Sequence, residues 1–420
     1  MPHSKFESGA PNTVKLLHVI GSMDPCGGGP CQFIRNLAPW FAGPDHNMEV
    51  VCLDDPKSAY LSNEPLPVHA LGTGRGSWNY HPSLLSWFQE HLPRFDAVFL
   101  NGLWQYPGLA LSKVARSRSG PGYYVIPHGM LDPWFQRPAV RPWKALRNWI
   151  YWKAIEHRVV SQAKGLLFTC GEERRLARLP FRPYVPRREL VVGLGLPEPP
   201  PRQPRMQTVF EKKCPACAGQ RYFLFLGRIH PKKAIDLLIK AYAALCQSQT
   251  SASRLAFPRL VIAGPDGETA YGQSMQSLGA EICPAGSIVW PGMLTGDAKW
   301  GALYNCEAFV LPSHQENFGI AVVEALACAR PVMISNQVNI WREIAEQGAA
   351  LVETDDLPGT TRLFQNWLNL SPAATASMAA RARRCFQGCF SGELAARNLW
   401  SVVSASANVA ATTRERINQL

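Results

Sequence analysis

The sequence predicts an α/β protein made of two doubly wound lobes, and three observations carry that expectation. Its 420 residues exceed the roughly 250–300 at which a single hydrophobic core stops growing. Short apolar runs closed by turn residues alternate with helical stretches through both halves, the pattern of parallel sheets flanked by helices. Between the halves, ELVVGLGLPEPPPRQP carries a proline-rich segment at about residues 197–205 that reads as a linker.

Taken in order, VKLLHVIGSM is a strand that breaks into DPCGGGPCQFIRNLAPWF, a glycine loop followed by helical periodicity. MEVVCLD (48–54), FDAVFLNG (95–102) and GYYVIPHG (122–129) are further strands, and AKGLLFTCGEERRLARL (163–179) repeats the strand–turn–helix unit. The second lobe opens with RYFLFLGRIHPKKAIDLLIKAYAAL. RLVIAGPDG (259–267), GSIVWPGM (286–293), CEAFVLPS (306–313) and RPVMISN (330–336) continue it as buried strands. Ligands of such sheets bind at the carboxyl ends of the strands, so the chemistry is expected in the loops that follow these runs. No short-period repeat is visible, which argues against a solenoid.

A formal charge of +12 and a pI near 9.2 favour anionic partners such as nucleotide phosphates or phospholipid headgroups. Nucleic acid is not expected, because the basic residues are scattered and the recognition-helix, zinc-finger and RNA-binding signatures are missing. The twelve cysteines form no regular framework and MPHSKFESGAPNTVK lacks a signal-peptide core, so a reducing cytoplasm is expected. No apolar run approaches the roughly 18 residues that cross a bilayer, which leaves peripheral membrane contact. The CPAC stretch (214–217) lacks a second pair at zinc-ribbon spacing and reads as a loop insertion. RPWKALRNWIYWKAIEHR mixes aromatic and basic residues as an interfacial helix would. Its Trp and Tyr residues spread around the helix, which favours packing of Trp143, Trp149, Ile150 and Trp152 onto their own lobe.

The chemistry concentrates in SHQENFGIAVVEALACARPV (313–332), a strand end, a turn and a helix start. The N–H groups near Asn317, Phe318, Gly319 and Ile320 form an electropositive helix end, and Gly319 lets a ligand approach the backbone. Glu316 reads either as a ligand contact or as an ordinary helix N-terminal acid. Glu324 stands among Val322, Val323, Ala325 and Leu326, and a carboxylate in that company needs a partner, such as a ribose diol. In FLGRIHPKKAIDLLIKAY, Arg228 at a strand end and Lys233 about one turn later can converge on a diphosphate, the alternative being a solvated basic loop.

E-x7-E with Phe-Gly after the first acid resembles the signature of family 4 glycosyltransferases, retaining enzymes of the GT-B fold that use nucleotide sugars. FLGRIHPKKAIDLLIKAY is similar to that family's strand–Gly-Arg–loop–Lys–Gly–helix block, with Ala234 where glycine is usual and Lys232 as a substitute for Lys233. MDPCGGGP resembles its first glycine-rich loop, and VIPHGMLDPW its His-Gly turn. The resemblance runs from about residue 16 to 400. It implies that Glu316 contacts the donor sugar, Glu324 binds the ribose, Arg228 and Lys233 hold the diphosphate, His128 faces the donor sugar, and Gly28 and Gly29 let backbone approach phosphate and acceptor. His128, Glu316, Arg228 and Lys233 would then be the catalytic set.

The implied architecture is two Rossmann-like domains facing each other across a cleft: an acceptor domain at 1–200, a donor domain at 201–395, and a last helix at 396–420 that crosses back to the first domain. The expected activity moves a hexose from a nucleotide diphosphate sugar, with no cofactor and no metal, since neither lobe shows a D-x-D pattern. WPGMLTGDAKWGALYNCEAFVLPS and SNQVNIWREI are similar to bacterial envelope-polysaccharide transferases. That similarity and the positive charge imply a saccharide or lipid-linked acceptor at the inner face of the cytoplasmic membrane. A non-catalytic sugar-nucleotide or polysaccharide-binding protein of the same fold is the alternative. A dinucleotide oxidoreductase is disfavoured because the first loop reads G-G-G-P without G-x-G-x-x-G spacing.

Overall fold

The computed structural model describes residues 14–43, 46–116, 121–136, 142–248 and 257–417. The chain divides into two compact units, residues 1–195 with 392–420 and residues 196–391.

In the first unit the strands are β1 (Val14–Ile20), β2 (Ala42–Gly43), β3 (His46–Cys52), β4 (Val68–Ala70), β5 (Ala97–Asn101), β6 (Tyr123–Ile126), β7 (Gly165–Phe168) and β8 (Glu189–Val191). They form one sheet in the order β2-β3-β1-β5-β6-β7-β8 with β4 on β3, parallel throughout except for the short β2–β3 pair. The central strands are buried on both faces, as parallel sheets require, and for that reason they read as unbroken apolar runs. The helix Gly29–Phe41 and the final helix Gly392–Ile417 both belong to this unit; Asn398 of the latter donates to the Val192 carbonyl at 3.3 Å.

The second unit holds β9 (Tyr222–Leu226), β10 (Arg259–Ala263), β11 (Ile288–Gly292), β12 (Ala308–Leu311), β13 (Val332–Ser335) and β14 (Ala350–Glu353), all parallel. Their order is β11-β10-β9-β12-β13-β14. Strand order therefore reverses between β9 and β12, and the loops leaving those neighbours open a crevice at their carboxyl ends. The expectation of two Rossmann-like α/β domains is borne out, and each predicted strand of the second lobe lies within the run that signalled it.

The helix Pro142–Tyr151 departs from expectation. Trp152, just beyond it, is fully buried, but Trp143 is 82 % exposed and Leu146, Trp149 and Ile150 are about half exposed. These four recur at helical spacing on one face, while Asn148 and Trp152 occupy the inward side. The aromatic spread seen in the sequence is two faces, of which only one packs. CPAC folds into a short 3₁₀ turn, Pro215–Cys217, with Cys214 and Cys217 both buried.

Candidate active site

The reversal point of the second sheet gathers the predicted residues of that unit. After β9 the chain passes Gly227 and Arg228 into a single 3₁₀ turn, Pro231–Lys233, whose start is fixed by the His230 ring accepting from the Lys232 N–H at 3.1 Å. Ala234 ends that turn in the left-handed region, φ 53°, with its methyl fully buried. A positive φ is what glycine supplies without cost, so the alanine keeps the geometry at the expense of local strain.

After β12 the loop carries Glu316, whose backbone is pinned on both sides: its N–H donates to Gln337 O at 3.0 Å and its carbonyl accepts from Asn339 N–H at 2.9 Å. Its carboxylate pairs with the Lys233 ammonium, and both side chains are less than one-fifth exposed. Burial, reinforced by Lys232 and Arg228, pushes Lys233 down to about 8, while the pairing with Glu316 works in the opposite sense. Arg228 is exposed and close enough for its charge to act on Lys233. Among the described residues its guanidinium makes no hydrogen bond or ion pair. One paired and one unpaired cation thus sit beside a fixed carboxylate.

Gly319 caps the helix Ile320–Ala327 with φ 84°. A Cβ there would lie 3.2 Å from Val322 Cγ2 and 3.4 Å from Glu316 Cγ. Phe318 turns its ring into the core against Phe390, 5.8 Å between centroids, which leaves its backbone as the part facing the loop. Asn317 is half-buried, and Ile320 is the first helical residue. The partner that Glu324 needed is Lys299, from the helix Gly296–Asn305, whose Nζ lies 2.8 Å from Oε1. Lys299 also lies over the Trp300 ring at 4.3 Å. Sequence reasoning missed Lys299; the only signal was the apolar company of Glu324, which demands a cation without saying which.

In the first unit, the loop after β1 places Gly28 at φ 79° and exposed, with open space around the Cβ that Gly28 or Gly29 would carry. His128 follows β6 with φ 50° and Gly129 with φ 79°, two successive left-handed residues. Glu173, almost fully buried, holds that turn: Oε1 accepts from Gly129 N–H at 2.5 Å and Oε2 from Thr169 N–H at 2.7 Å. Burial raises the Glu173 carboxyl above its ordinary range, with these hydrogen bonds acting against it. Burial pushes His128 down to about 3, so its ring is neutral at physiological pH. Its Nε2 lies 3.1 Å from Asn101 Oδ1, at the end of β5. The structure thus sorts the sequence-predicted residues into two groups, Arg228, Lys233, Glu316–Ile320 and Glu324 on one unit and Gly28, Gly29 and His128 on the other.

Comparison with known proteins finds glycosyltransferase matches in both units. Residues 207–384 match the family model for glycosyl transferases group 1, and residues 28–195 match the glycosyl transferase 4-like domain. D-inositol 3-phosphate glycosyltransferase of Kineococcus radiotolerans is 30% identical over 246 residues, covering 56% of this chain and 55% of the relative. The chain thus aligns with about half the length of that curated relative. Among solved structures, HepE of Anabaena in complex with UDP and glucose superposes with a TM-score of 0.71 at 15% identity, covering 93% of this chain and 100% of that one. A glycosyltransferase of Rickettsia africae gives 0.74 at 13% identity, covering 94% and 99%. WaaG, a glycosyltransferase involved in lipopolysaccharide biosynthesis, gives 0.60 at 15% identity, covering 89% and 95%. Each unit is thus matched by its own glycosyltransferase model, the second by group 1 and the first by the 4-like domain, and the two Rossmann-like domains share the GT-B fold of these neighbours.

Proposed function

We propose that this protein is a retaining hexosyltransferase that moves a sugar from a nucleotide diphosphate donor to a saccharide or lipid-linked saccharide. The observation that carries the reading is the cluster at the β9/β12 reversal: unpaired Arg228, Lys233 paired with Glu316, and Glu324 held by Lys299. Arg228 and Lys233 supply two cations for the diphosphate, and they meet the charge that grows on the leaving oxygen as the glycosidic bond breaks. This is why no metal is required in the proposal. Glu324, oriented by Lys299, accepts from the ribose hydroxyls.

Glu316 is neutralised by Lys233, which suits a sugar-positioning carboxylate and not a nucleophile. The acceptor hydroxyl then attacks the anomeric carbon on the side the diphosphate leaves. The new C–O bond forms as the old one breaks, and the hydroxyl proton passes to the departing diphosphate oxygen. HepE has been solved with UDP and glucose and with UDP-glucose, which makes a uridine donor the first to test. The test is hydrolysis and transfer assayed with excess chelator, with the product anomer read by NMR. Inversion at the anomeric carbon, or activity abolished by chelator and restored by a divalent ion, would sink the mechanism.

The membrane surface is proposed as a partner on a separate observation. Trp143, Leu146, Trp149 and Ile150 present an apolar face flanked by Arg147 and Lys153, both exposed, and Lys153 lies over the Trp149 ring at 5.8 Å. From 142 to 171 the single acid is Glu156, which is buried. An apolar face ringed by cations fits an anionic lipid surface, whereas a second copy would bring like charges together. No helix among the described residues is long and apolar enough to cross a membrane. Sedimentation with vesicles containing phosphatidylglycerol, lost in a Trp143→Ser/Trp149→Ser variant, is expected. Concentration-dependent dimerisation without vesicle binding would contradict it.

A further inference from the structure

Three side chains toward the carboxyl end of the first unit's sheet, His18, Asn101 and His128, are joined by hydrogen bonds that admit one arrangement of protons. Asn101 ends β5, in register with Ile20 on one side and Ile126 on the other, and is 6% exposed. Its Nδ2 faces three atoms: the Phe99 carbonyl at 3.2 Å, the Val19 carbonyl at 3.4 Å and His18 Nδ1 at 3.1 Å. Carbonyl oxygens only accept, so the amide nitrogen must occupy that side; turning the amide over would set oxygen against two oxygens. Oδ1 therefore faces His128 Nε2 at 3.1 Å. An amide oxygen only accepts, so His128 Nε2 carries the proton.

In a neutral imidazole the other nitrogen is then a bare acceptor. His128 Nδ1 makes no hydrogen bond among the described residues, and the half-buried ring lies 5.4 Å from the Phe33 ring in a T-shaped arrangement. Behind Asn101, His18 is fully buried and stacked on Phe99 at 5.0 Å. By the same logic its Nδ1 accepts from Asn101 and its proton sits on Nε2, which has no partner among the described residues. Burial and the nearness of His128 hold His18 down to about 3, so it stays an acceptor.

We infer that Asn101, backed by neutral His18, is a positioning residue that locks His128 in the Nε2–H tautomer, so that Nδ1 offers a lone pair to a substrate hydroxyl. The tautomer follows from the geometry alone; only the hydroxyl rests on the proposed glycosyltransferase reading. It gives His128 a definite role: it accepts a hydrogen bond and orients the sugar, and it neither donates to the substrate nor shuttles a proton. A donor that lacks the hydroxyl facing Nδ1 leaves that acceptor empty.

The test uses the full chain labelled with ¹⁵N-histidine, the His128 signals being assigned by their loss in His128→Gln. Long-range ¹H–¹⁵N spectra at neutral pH are expected to show a protonated Nε2 and an unprotonated Nδ1. In Asn101→Leu a mixture of tautomers is expected, with kcat/KM for donor hydrolysis down by about 5- to 100-fold, the range for one buried group left unpaired. Asn101→Asp places a carboxylate oxygen at the same atom and is expected to raise the His128 pKa in the spectra, at a cost in stability because its second oxygen faces the Phe99 and Val19 carbonyls. An Nδ1–H tautomer in the wild type overturns the inference without need of any variant, as does an unchanged tautomer in a folded Asn101→Leu protein. Absence of donor hydrolysis in the wild type with the Nε2–H tautomer present would instead fault the enzyme reading and leave the lock standing.

Discussion

Lys233 offers the sharpest perturbation, because the structure sets both its charge state and its job. Burial and the cations Lys232 and Arg228 hold it down to about 8, and Glu316 pulls it upward. The cation is the useful form, so kcat/KM is expected to fall as pH rises through about 8 to 9, close to tenfold per unit above the limb. The diphosphate favours the cation when bound, so the same limb in kcat lies higher. Lys233→Arg should remove the limb altogether, since a guanidinium does not titrate there.

Lys233→Met removes one of two cations from a leaving group in a partly dry site, an effect worth about 3–4 kcal/mol, or 100- to 1000-fold in kcat. Nucleotide affinity should change far less, because the charge it meets is greatest in the transition state. The folding ledger carries the matching sign. A lysine whose folded pKa lies below its unfolded 10.5 weakens the fold at neutral pH, and that penalty is relieved as pH rises from about 8 to 10.5. The assay is donor hydrolysis across pH 6–10 on wild type, Lys233→Arg and Lys233→Met, with nucleotide affinity by calorimetry. An alkaline limb that persists in Lys233→Arg, or a Lys233→Met enzyme with full turnover, refutes the assignment.

Glu324→Gln keeps the shape and loses the charge, so nucleotide Kd should rise by about 10- to 100-fold, one charge-assisted hydrogen bond's worth, by calorimetry. Lys299→Met, which leaves Glu324 unpaired, should weaken binding in the same direction and not additively with it. Gly319→Ala puts a methyl into a left-handed position 3.2 Å from Val322 and is expected to cost about 1–3 kcal/mol in denaturant melts, with loss of donor hydrolysis through displaced Glu316. At the neighbouring left-handed position, Ala234→Gly should stay within about 1 kcal/mol of wild type, whereas a β-branched Ala234→Val should destabilise by more than about 2 kcal/mol; equal melts for the two would show that φ is not the constraint.

Much of the fold was written in the sequence because its central strands are buried on both faces. FLFL in β9 and AFVL in β12 cannot alternate with polar residues, and the glycine or serine that follows marks the carboxyl end where the site forms. The edges were less legible. β4, β8 and β14 are three or four residues long and mostly half-buried, and β2 is two residues long, so their apolar signals are short and easily passed over. The helix Pro142–Tyr151 misled for a related reason: composition shows that tryptophans are present, and only the tertiary structure says which of them has a core to enter.

The site divides the same way. Glu316, Glu324, Arg228 and Lys233 were found because local spacing places them beside strand ends and a helix start. Lys299 is 25 positions before Glu324, and Asn101 is 83 positions after His18, so both pairings are made by topology alone. Ala234 shows the reverse case, a departure from the glycine expected there that leaves the left-handed backbone in place.

The central claim, a nucleotide-sugar site built on Glu324 and the Arg228–Lys233 cations, is tested most directly by thermal shift and hydrolysis. UDP-, GDP-, ADP- and TDP-sugars would be run without added metal on wild type and Glu324→Ala. The account predicts stabilisation by one nucleotide class, about 2.7 kcal/mol at a hundredfold excess over Kd, lost in Glu324→Ala and accompanied in the wild type by slow release of free sugar. Well-folded wild type that responds to none of the four, with or without a saccharide acceptor, would contradict it.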